Sequence, residues 1–423
     1  MKSSFFKSFL KWTVFLSLLY LSIITIILGY EDVDERKGVY NFYWSGLKAL
    51  WNTSDPFGII INKPIRTNFK GKDGPYVIGD KVYTVDDVNK LYCKKNDGEV
   101  NVAFTINTSK SFKVRLKDSI EQEKFEYKMP DKLIAISDIE GNISGFYSFL
   151  VHNKVIDENF NWIFGQGHLV LNGDFFDRGS NVTEVLWLIY HLENQAEKSG
   201  GKVHFILGNH EMMNLYGDSS YNDRKYIELA KQVSGLSDWN EALKFLYSDS
   251  TELGKWLRSK NIVEKIGDII FVHGGLNILH VNGNYSLKEL NQIAKKYYGV
   301  EPTTKYLLDE RDRVVISGIN SPFWDRRLHL DFNHKTALTF SGVNVKTTNQ
   351  QELNEILRFY NASKIVIGHS VVNDISSDYK DKVIKIDVKH GQNLHSGKTK
   401  GIFIDSNAYF IVDDLNQELR PLF

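Results

Sequence analysis

The sequence is short of several features that would set its class. Cys93 is the only cysteine in 423 residues, which excludes an intrachain disulfide and a cysteine-built metal site. A lone cysteine suits any compartment. Neither charge is in excess: 52 Lys and Arg balance 52 Asp and Glu. That argues against a general nucleic-acid binder, which would carry a basic surplus. Internal repeats and low-complexity tracts are absent. What remains, 42% hydrophobic and 25% charged residues, is ordinary for a globular protein, and the length accommodates one large domain plus a smaller one.

One long apolar run stands out. Residues 12–30 carry no charge and approach the ~20 residues needed to cross a hydrocarbon core. Bulky Ile26, Ile27 and Leu28 end the run without an Ala-x-Ala-like site. A cleaved signal peptide has a shorter apolar region, usually ~7–15 residues, and a small-residue exit. The run therefore reads as an uncleaved anchor within residues 1–30. Lys2, Lys7 and Lys11 precede it, and Glu31, Asp32, Asp34 and Glu35 follow. This lysine-first flank directs the N-terminus to the cytoplasm and the remainder outside it, into the periplasm in a bacterium.

Residues 31–57 are rich in aromatics (Tyr40, Phe42, Tyr43, Trp44, Trp51) and suit a juxtamembrane amphipathic helix or a packed strap, closed by a turn at Asp55-Pro56-Phe57-Gly58. Short β-like runs at 58–65, 76–85, 100–106 and 112–116, with a hairpin loop at Asn107–Lys110, suggest a β-rich accessory module over 58–130. It carries no catalytic constellation, so its expected role is structural. The charge-rich run Lys117–Lys124 reads as a solvated linker or helix face.

Chemistry concentrates between Leu169 and Glu211. Two apolar runs with the length of buried strands each end in glycine and then polar side chains. Asp174, Asp177 and Arg178 follow the first; Asn209, His210 and Glu211 follow the second. Buried parallel strands display chemistry at their C-terminal ends. Carboxylate, amide and imidazole suit a divalent metal, and arginine suits phosphate oxygens. The segment Val182–Ala196 between the runs has helical periodicity, making a right-handed strand–helix–strand crossover. Asp138 and Glu140, two residues apart after the strand Lys132–Ser137, can face one cation.

Gly173-Asp174-Phe175-Phe176-Asp177-Arg178-Gly179 and Gly208-Asn209-His210-Glu211 resemble the signatures of the phosphoprotein-phosphatase branch of the calcineurin-like metallophosphoesterases. Ser137–Asn142, Val272-His273-Gly274-Gly275 and Ile367-Gly368-His369 fall in the same order. The likeness runs over residues 132–412, and the layout is most similar to the bacterial Shewanella-like protein phosphatases. It departs at Glu140, where the family has histidine.

The resemblance implies an α/β fold: a four-layer α/β/β/α sandwich with two mixed sheets over 131–423, a helical insertion at 214–262, the small β-rich module and the anchor helix. It implies two divalent metal ions, with manganese favoured and magnesium, iron or zinc as alternatives. Asp138, Glu140 and Asp174 would hold the first; Asp174, Asn209, His273 and His369 the second. Asp177 would orient His210 as general acid, and Glu211 would anchor the loop. Arg178 and one of Arg326 and Arg327 would hold phosphate, alignment on Trp324 favouring Arg326. Asp387, His390 and His395 are near-site candidates. The implied activity is phosphomonoester hydrolysis, with phosphoprotein as the implied substrate, by direct attack of a metal-bridging hydroxide. The alternatives are hydrolysis of a nucleotide or dinucleotide polyphosphate, and a membrane-tethered, catalytically impaired binding module. The implied partners are a phosphorylated protein or small molecule and the membrane, with no nucleic acid.

Overall fold

The structure, a computed structural model, describes residues 2–27, 30–34, 39–44, 47, 57–61, 72–86, 90–107, 110–301, 309–330, 335–336 and 345–423. The chain opens with helix α1 (Lys2–Ile27), whose segment Ser8–Ile27 is long and apolar enough to cross a membrane. Three antiparallel strands follow, β1 (Tyr30–Asp34), β2 (Val39–Trp44) and β3 (Phe57–Ile61). Among the described residues of 31–57, strands stand where an amphipathic helix was one expectation, as suits the aromatic run Val39–Trp44. Phe57 and Gly58 start β3 rather than a turn, while Asp55 and Pro56 lie outside the described residues.

Strands β4 (Asp73–Ile78), β5 (Lys81–Val85) and β6 (Leu91–Lys95) form one antiparallel sheet; β7 (Glu99–Ala103) and β8 (Ser111–Arg115) form a hairpin. Its alternation is regular: Val100, Val102, Phe112 and Val114 are buried between exposed neighbours. Thr108 and Ser109, in the middle of the expected loop, lie outside the described residues.

From Glu126 onward, twelve strands make two six-stranded mixed sheets. The second begins with β9 (Glu126–Tyr127) at its edge. The first holds the parallel β10 (Lys132–Ile136), β11 (His168–Asn172) and β12 (Lys202–Ile206). The second continues with β13 (Val263–Ile266), β14 (Ile269–Val272), β15 (Lys364–Ile367), β16 (Ser376–Asp378) and β17 (Val383–Lys385). Antiparallel β18 (Lys400–Asp405), β19 (Ala408–Asp413) and β20 (Arg420–Pro421) complete the first.

Both faces of the central strands are apolar, so each sheet has to be covered twice. Leu133, Ala135, Val170 and Ile206 of the first sheet pack with Ile269, Phe271, Val366 and Ile384 of the second. The alternate set, including Ile134, Ile136, Leu169, Leu171 and Phe205, joins the core shared with helices α2 (Ile143–His152) and α3 (Val182–Lys198). Two sheets face to face with helices outside give the expected sandwich.

The accessory strands share that outer core. Phe104 and Phe112 meet Phe160 at ring distances of 5.0 and 4.8 Å, and Trp187 of α3 donates to Pro75 O at 2.7 Å. Helix α4 (Asn209–Tyr216) starts directly after β12, and the insertion adds α5 (Arg224–Ser234), α6 (Trp239–Leu246) and α7 (Glu252–Arg258).

The run Lys117–Lys124 is mostly exposed and has neither helix nor strand, as expected of a solvated linker, but Lys117 and Glu123 turn inward. Lys260, 1% exposed, binds Glu193 at 2.6 Å and Glu123 at 3.0 Å; Lys117 adds to Glu193 at 2.9 Å and Lys202 to Glu123 at 2.8 Å. Lys117 and Glu123 are two of the five members of an ion network joining the linker, α3, β12 and the segment after α7. Burial alone would raise the two carboxyls. Lys260, with Lys202 and Lys117, outweighs it, holding Glu123 at about 2 and Glu193 below its ordinary value.

Lys260→Met should cost about 3–5 kcal/mol at pH 7, because two buried carboxylates lose their shared cation. Depressed carboxyls contribute fully above their unfolded value of 4.5 and lose that contribution as pH falls toward about 2. Urea denaturation midpoints should therefore show the gap between wild type and Lys260→Met narrowing from pH 5 to pH 2.5. A gap that stays constant would contradict this account.

Candidate active site

Five strands end at one place. β10 delivers Asp138, β11 Asp174, β12 Asn209, β14 His273 and β15 His369, each just beyond the strand's C-terminal residue. All five are nearly buried. The loops after β10 and β11 stay paired beyond the sheet: Asp138 N donates to Gly173 O at 2.9 Å, Glu140 N to Asp174 O at 3.0 Å and Gly141 N to Phe175 O at 2.9 Å. Glu211 ties β11 to β12. Its carboxylate accepts from the amides of Asp174, Phe175 and Gly208 at 2.9, 2.7 and 2.7 Å.

These turns force an unusual backbone. Asp138, Glu140, Asp174, Asp177, Arg178 and His369 all have positive φ, between 49° and 69°. Each costs of order 1–3 kcal/mol for a side-chain-bearing residue, and such conformations cluster at functional sites.

Ligand atoms of Asp174, His273 and His369 lie within 4.8 Å of one another. His273 Nδ1 donates to Asn172 O at 2.9 Å, which fixes the tautomer and leaves Nε2 facing Asp174 Oδ2 at 3.0 Å and Asn209 Oδ1 at 3.2 Å. The imidazole fills the space between two glycines. A Cβ on Gly173 would come 2.4 Å from His273 Nδ1, and one on Gly208 would come 2.3 Å from Asp174 Oδ1. Burial, then the charges of Asp387 and Asp174, push the Asp138 carboxyl well above its usual range. A buried group of carboxylates, an amide oxygen and two imidazoles is a donor set that divalent cations fit and relieve.

His210 sits beside this group. Its Nδ1 donates to Asp177 Oδ2 at 2.5 Å, and its Nε2 is 3.9 Å from Asp174 Oδ2. Burial opposes the imidazolium, but Asp174 and Asp177 outweigh it and raise the His210 pKa. Asp177 is itself held by Asn214 at 2.8 Å and by Asn222. Asn214 had a signal in its spacing, one turn after His210 on α4. Asn222, from the insertion, had none.

Arg178, half exposed, meets three partners. Its amide donates to Tyr221 O at 3.0 Å, and its guanidinium lies 5.6 Å from the Tyr221 ring. Its third partner is the carboxylate of Glu140, expected at the first cation and found here in an ion pair with Arg178. Arg326 donates to His369 O at 2.6 Å and Ser370 Oγ at 2.8 Å. Arg327 is directed elsewhere, to Asp325 at 3.1 Å and Asn320 at 2.6 Å. Asp387 is buried near the group, and His390 Nε2 donates to Ser137 O at 2.8 Å. His395 instead binds around Ser148 and Asp414.

Known proteins resemble the chain over the span that holds this site. Curated relatives include Shewanella-like protein phosphatase 1 of Plasmodium berghei (strain Anka), 31% identical, with the match covering 60% of this chain and 65% of that protein. Shewanella-like protein phosphatase 2 of Arabidopsis thaliana is 25% identical over 66% of this chain and 76% of its own length. The chain thus spans just under two thirds of the first relative and about three quarters of the second. Among solved structures, the cold-active protein-tyrosine phosphatase of a psychrophilic Shewanella species superposes with a TM-score of 0.69 at 29% identity, covering 84% of this chain and all of that one. The calcineurin-like phosphoesterase family model matches residues 132–373. That span holds all five strand-end residues from Asp138 to His369, and the chain belongs to the calcineurin-like phosphoesterase family.

Proposed function

We propose that the protein is a dinuclear-metal-dependent phosphomonoesterase acting on phosphorylated protein. The observation that carries this reading is His210, oriented by Asp177 with its Nε2 turned toward the buried ligand group. Asp138 and Asp174 would hold a first cation; Asp174, Asn209, His273 and His369 a second. Glu140 would join the first only by leaving Arg178. The oxygen-rich first position favours manganese, magnesium or ferric iron over zinc. When bound, such ions acidify water and neutralise phosphoryl charge.

The remaining work falls to side chains. Arg178 and Arg326 bind phosphoryl oxygens, and their fixed planar charge suits the charge spread over those oxygens in the transition state. His210 holds a proton at Nε2 for the departing ester oxygen, and Asp177 stabilises the imidazolium from behind. Glu140 occupies Arg178 until phosphate displaces it. The names of the relatives support a phosphoprotein substrate. Helix α1 supports a membrane anchor, and the lysine-first flank supports a catalytic domain outside the cytoplasm.

Three outcomes test this. His210→Ala should lose ~10²–10⁴-fold of kcat on phosphoserine peptide, the range for general acid catalysis. It should lose far less on p-nitrophenyl phosphate, whose leaving group scarcely needs a proton. Equal losses on both would make His210 a positioning residue. Glu140→Gln removes the competitor for Arg178, so inorganic phosphate should inhibit at a concentration lower by up to ~5-fold, the scale of an exposed ion pair. Unchanged or weaker inhibition would contradict that role. The full chain should resist extraction by alkaline carbonate, and added protease should degrade its catalytic domain in spheroplasts. A protected domain would reverse the topology.

A further inference from the structure

The helical insertion reaches the site through one exposed ring. Helix α4 ends at Tyr216, and the turn that follows returns to the loop of Asp177 and Arg178 before α5 begins. Arg178 N donates to Tyr221 O at 3.0 Å. Next to it, Asn222 Nδ2 donates to Asp177 Oδ1 and, at 3.1 Å, to Asn214 Oδ1. Asn222 N donates to Ser219 O at 3.1 Å, which closes the turn on itself. Beyond it Asp223 caps α5, and the Tyr226 hydroxyl on that helix accepts from Val182 N at 2.7 Å, at the start of α3. The turn is held at both ends, so the backbone fixes where the Tyr221 side chain can lie.

That ring meets both groups given to the phosphoryl oxygens and the proton. It lies 5.0 Å from the His210 ring at 74°, edge to face, and 5.6 Å from the Arg178 guanidinium. Rings in that arrangement attract, and a ring face attracts a cation. Tyr221 is 44% exposed, and among the described residues its hydroxyl makes no hydrogen bond. Neither core packing nor a polar partner therefore accounts for its place. Arg178 is half exposed and turns on a positive φ. Glu140 holds it through the N–H donors that phosphate oxygens need. A ring face draws the charge without a carboxylate to compete, so Tyr221 can keep Arg178 in place once phosphate displaces Glu140.

We propose that Tyr221 is a positioning residue that holds Arg178 and His210 side by side, the phosphate binder next to the proton donor. This rests on the phosphomonoesterase reading above. It makes the turn after α4 part of the working site, acting through the two side chains that its ring touches.

Full-length protein in detergent, loaded with Mn²⁺, would be assayed on p-nitrophenyl phosphate and on a phosphoserine peptide, and its binding of inorganic phosphate followed by calorimetry. Tyr221→Leu should weaken phosphate binding and raise KM on both substrates by ~2–5-fold, the scale of a cation beside an exposed ring. Its kcat should fall a further ~2–10-fold on the peptide, the scale of an edge-to-face ring pair. On p-nitrophenyl phosphate, which scarcely needs the proton of His210, kcat should hold. Tyr221→Phe keeps the ring and should restore all of these constants. Added to Arg178→Ala, Tyr221→Leu should weaken phosphate binding no further. Wild-type constants in Tyr221→Leu, a loss confined to the aryl substrate, Tyr221→Phe as impaired as Tyr221→Leu, or a further loss of phosphate binding in the double variant would each overturn the assignment. None of these four touches the phosphomonoesterase reading. Wild type that hydrolyses neither substrate would overturn both.

Discussion

One carboxylate holds the site's geometry together. Glu211 accepts three backbone amides, two from the loop after β11 and one from the glycine that starts α4. It is fully buried, so nothing in water competes for those bonds. Through it, Asp174, Asn209 and His210 are fixed relative to one another although they come from different strands. Removing it would leave three buried amides without acceptors, each costing roughly 1–3 kcal/mol. The loop after β10 is tied in turn to its neighbours, accepting from His390 at Ser137 O and from Gly179 N at Glu140 O. It copies the positions of the loop after β11 through the paired amides of Asp138, Glu140 and Gly141.

The strain in these loops follows from the same constraint. Six site residues occupy the left-handed region where glycine would be easier. Glycine has no carboxylate, guanidinium or imidazole to offer. Glycines instead stand where bulk must be absent, at Gly173 and Gly208 around the His273 ring. Chemistry and backbone ease are therefore divided between neighbouring positions in each motif.

What the sequence revealed follows the range of each interaction. The strands, the crossover and the strand-end residues were legible because apolar runs and local motifs encode them. In the Lys117–Lys124 run, read as solvated and mostly so, the inward turn of Lys117 and Glu123 was hidden because a charge looks the same in sequence whether water or a distant partner receives it. Its partners, Glu193 and Lys260, lie more than 70 residues away. The contact of Glu140 with Arg178 was also out of view, since strand geometry says which way a side chain can point but not which neighbours it meets. Asn222 was out of reach for a similar reason: it returns to Asp177 from an insertion whose path local pattern does not fix. The described residues of 31–57 were read for amphipathicity, whereas they pair as strands.

The buried ion network has a consequence for how this chain can be divided. Glu123 precedes the family-matched span, yet it neutralises Lys260 and Lys202 from within it. β9 supplies an edge to the second sheet, and β4, β7 and β8 cover one side of α3. A shorter version beginning at the first matched strand would carry two under-neutralised lysines, a bare sheet edge and an uncovered helix. The β-rich segment is thus a fixed wall of the two-sheet domain rather than a detachable accessory, and its loss would leave Lys260 and the α3 surface in need of new partners.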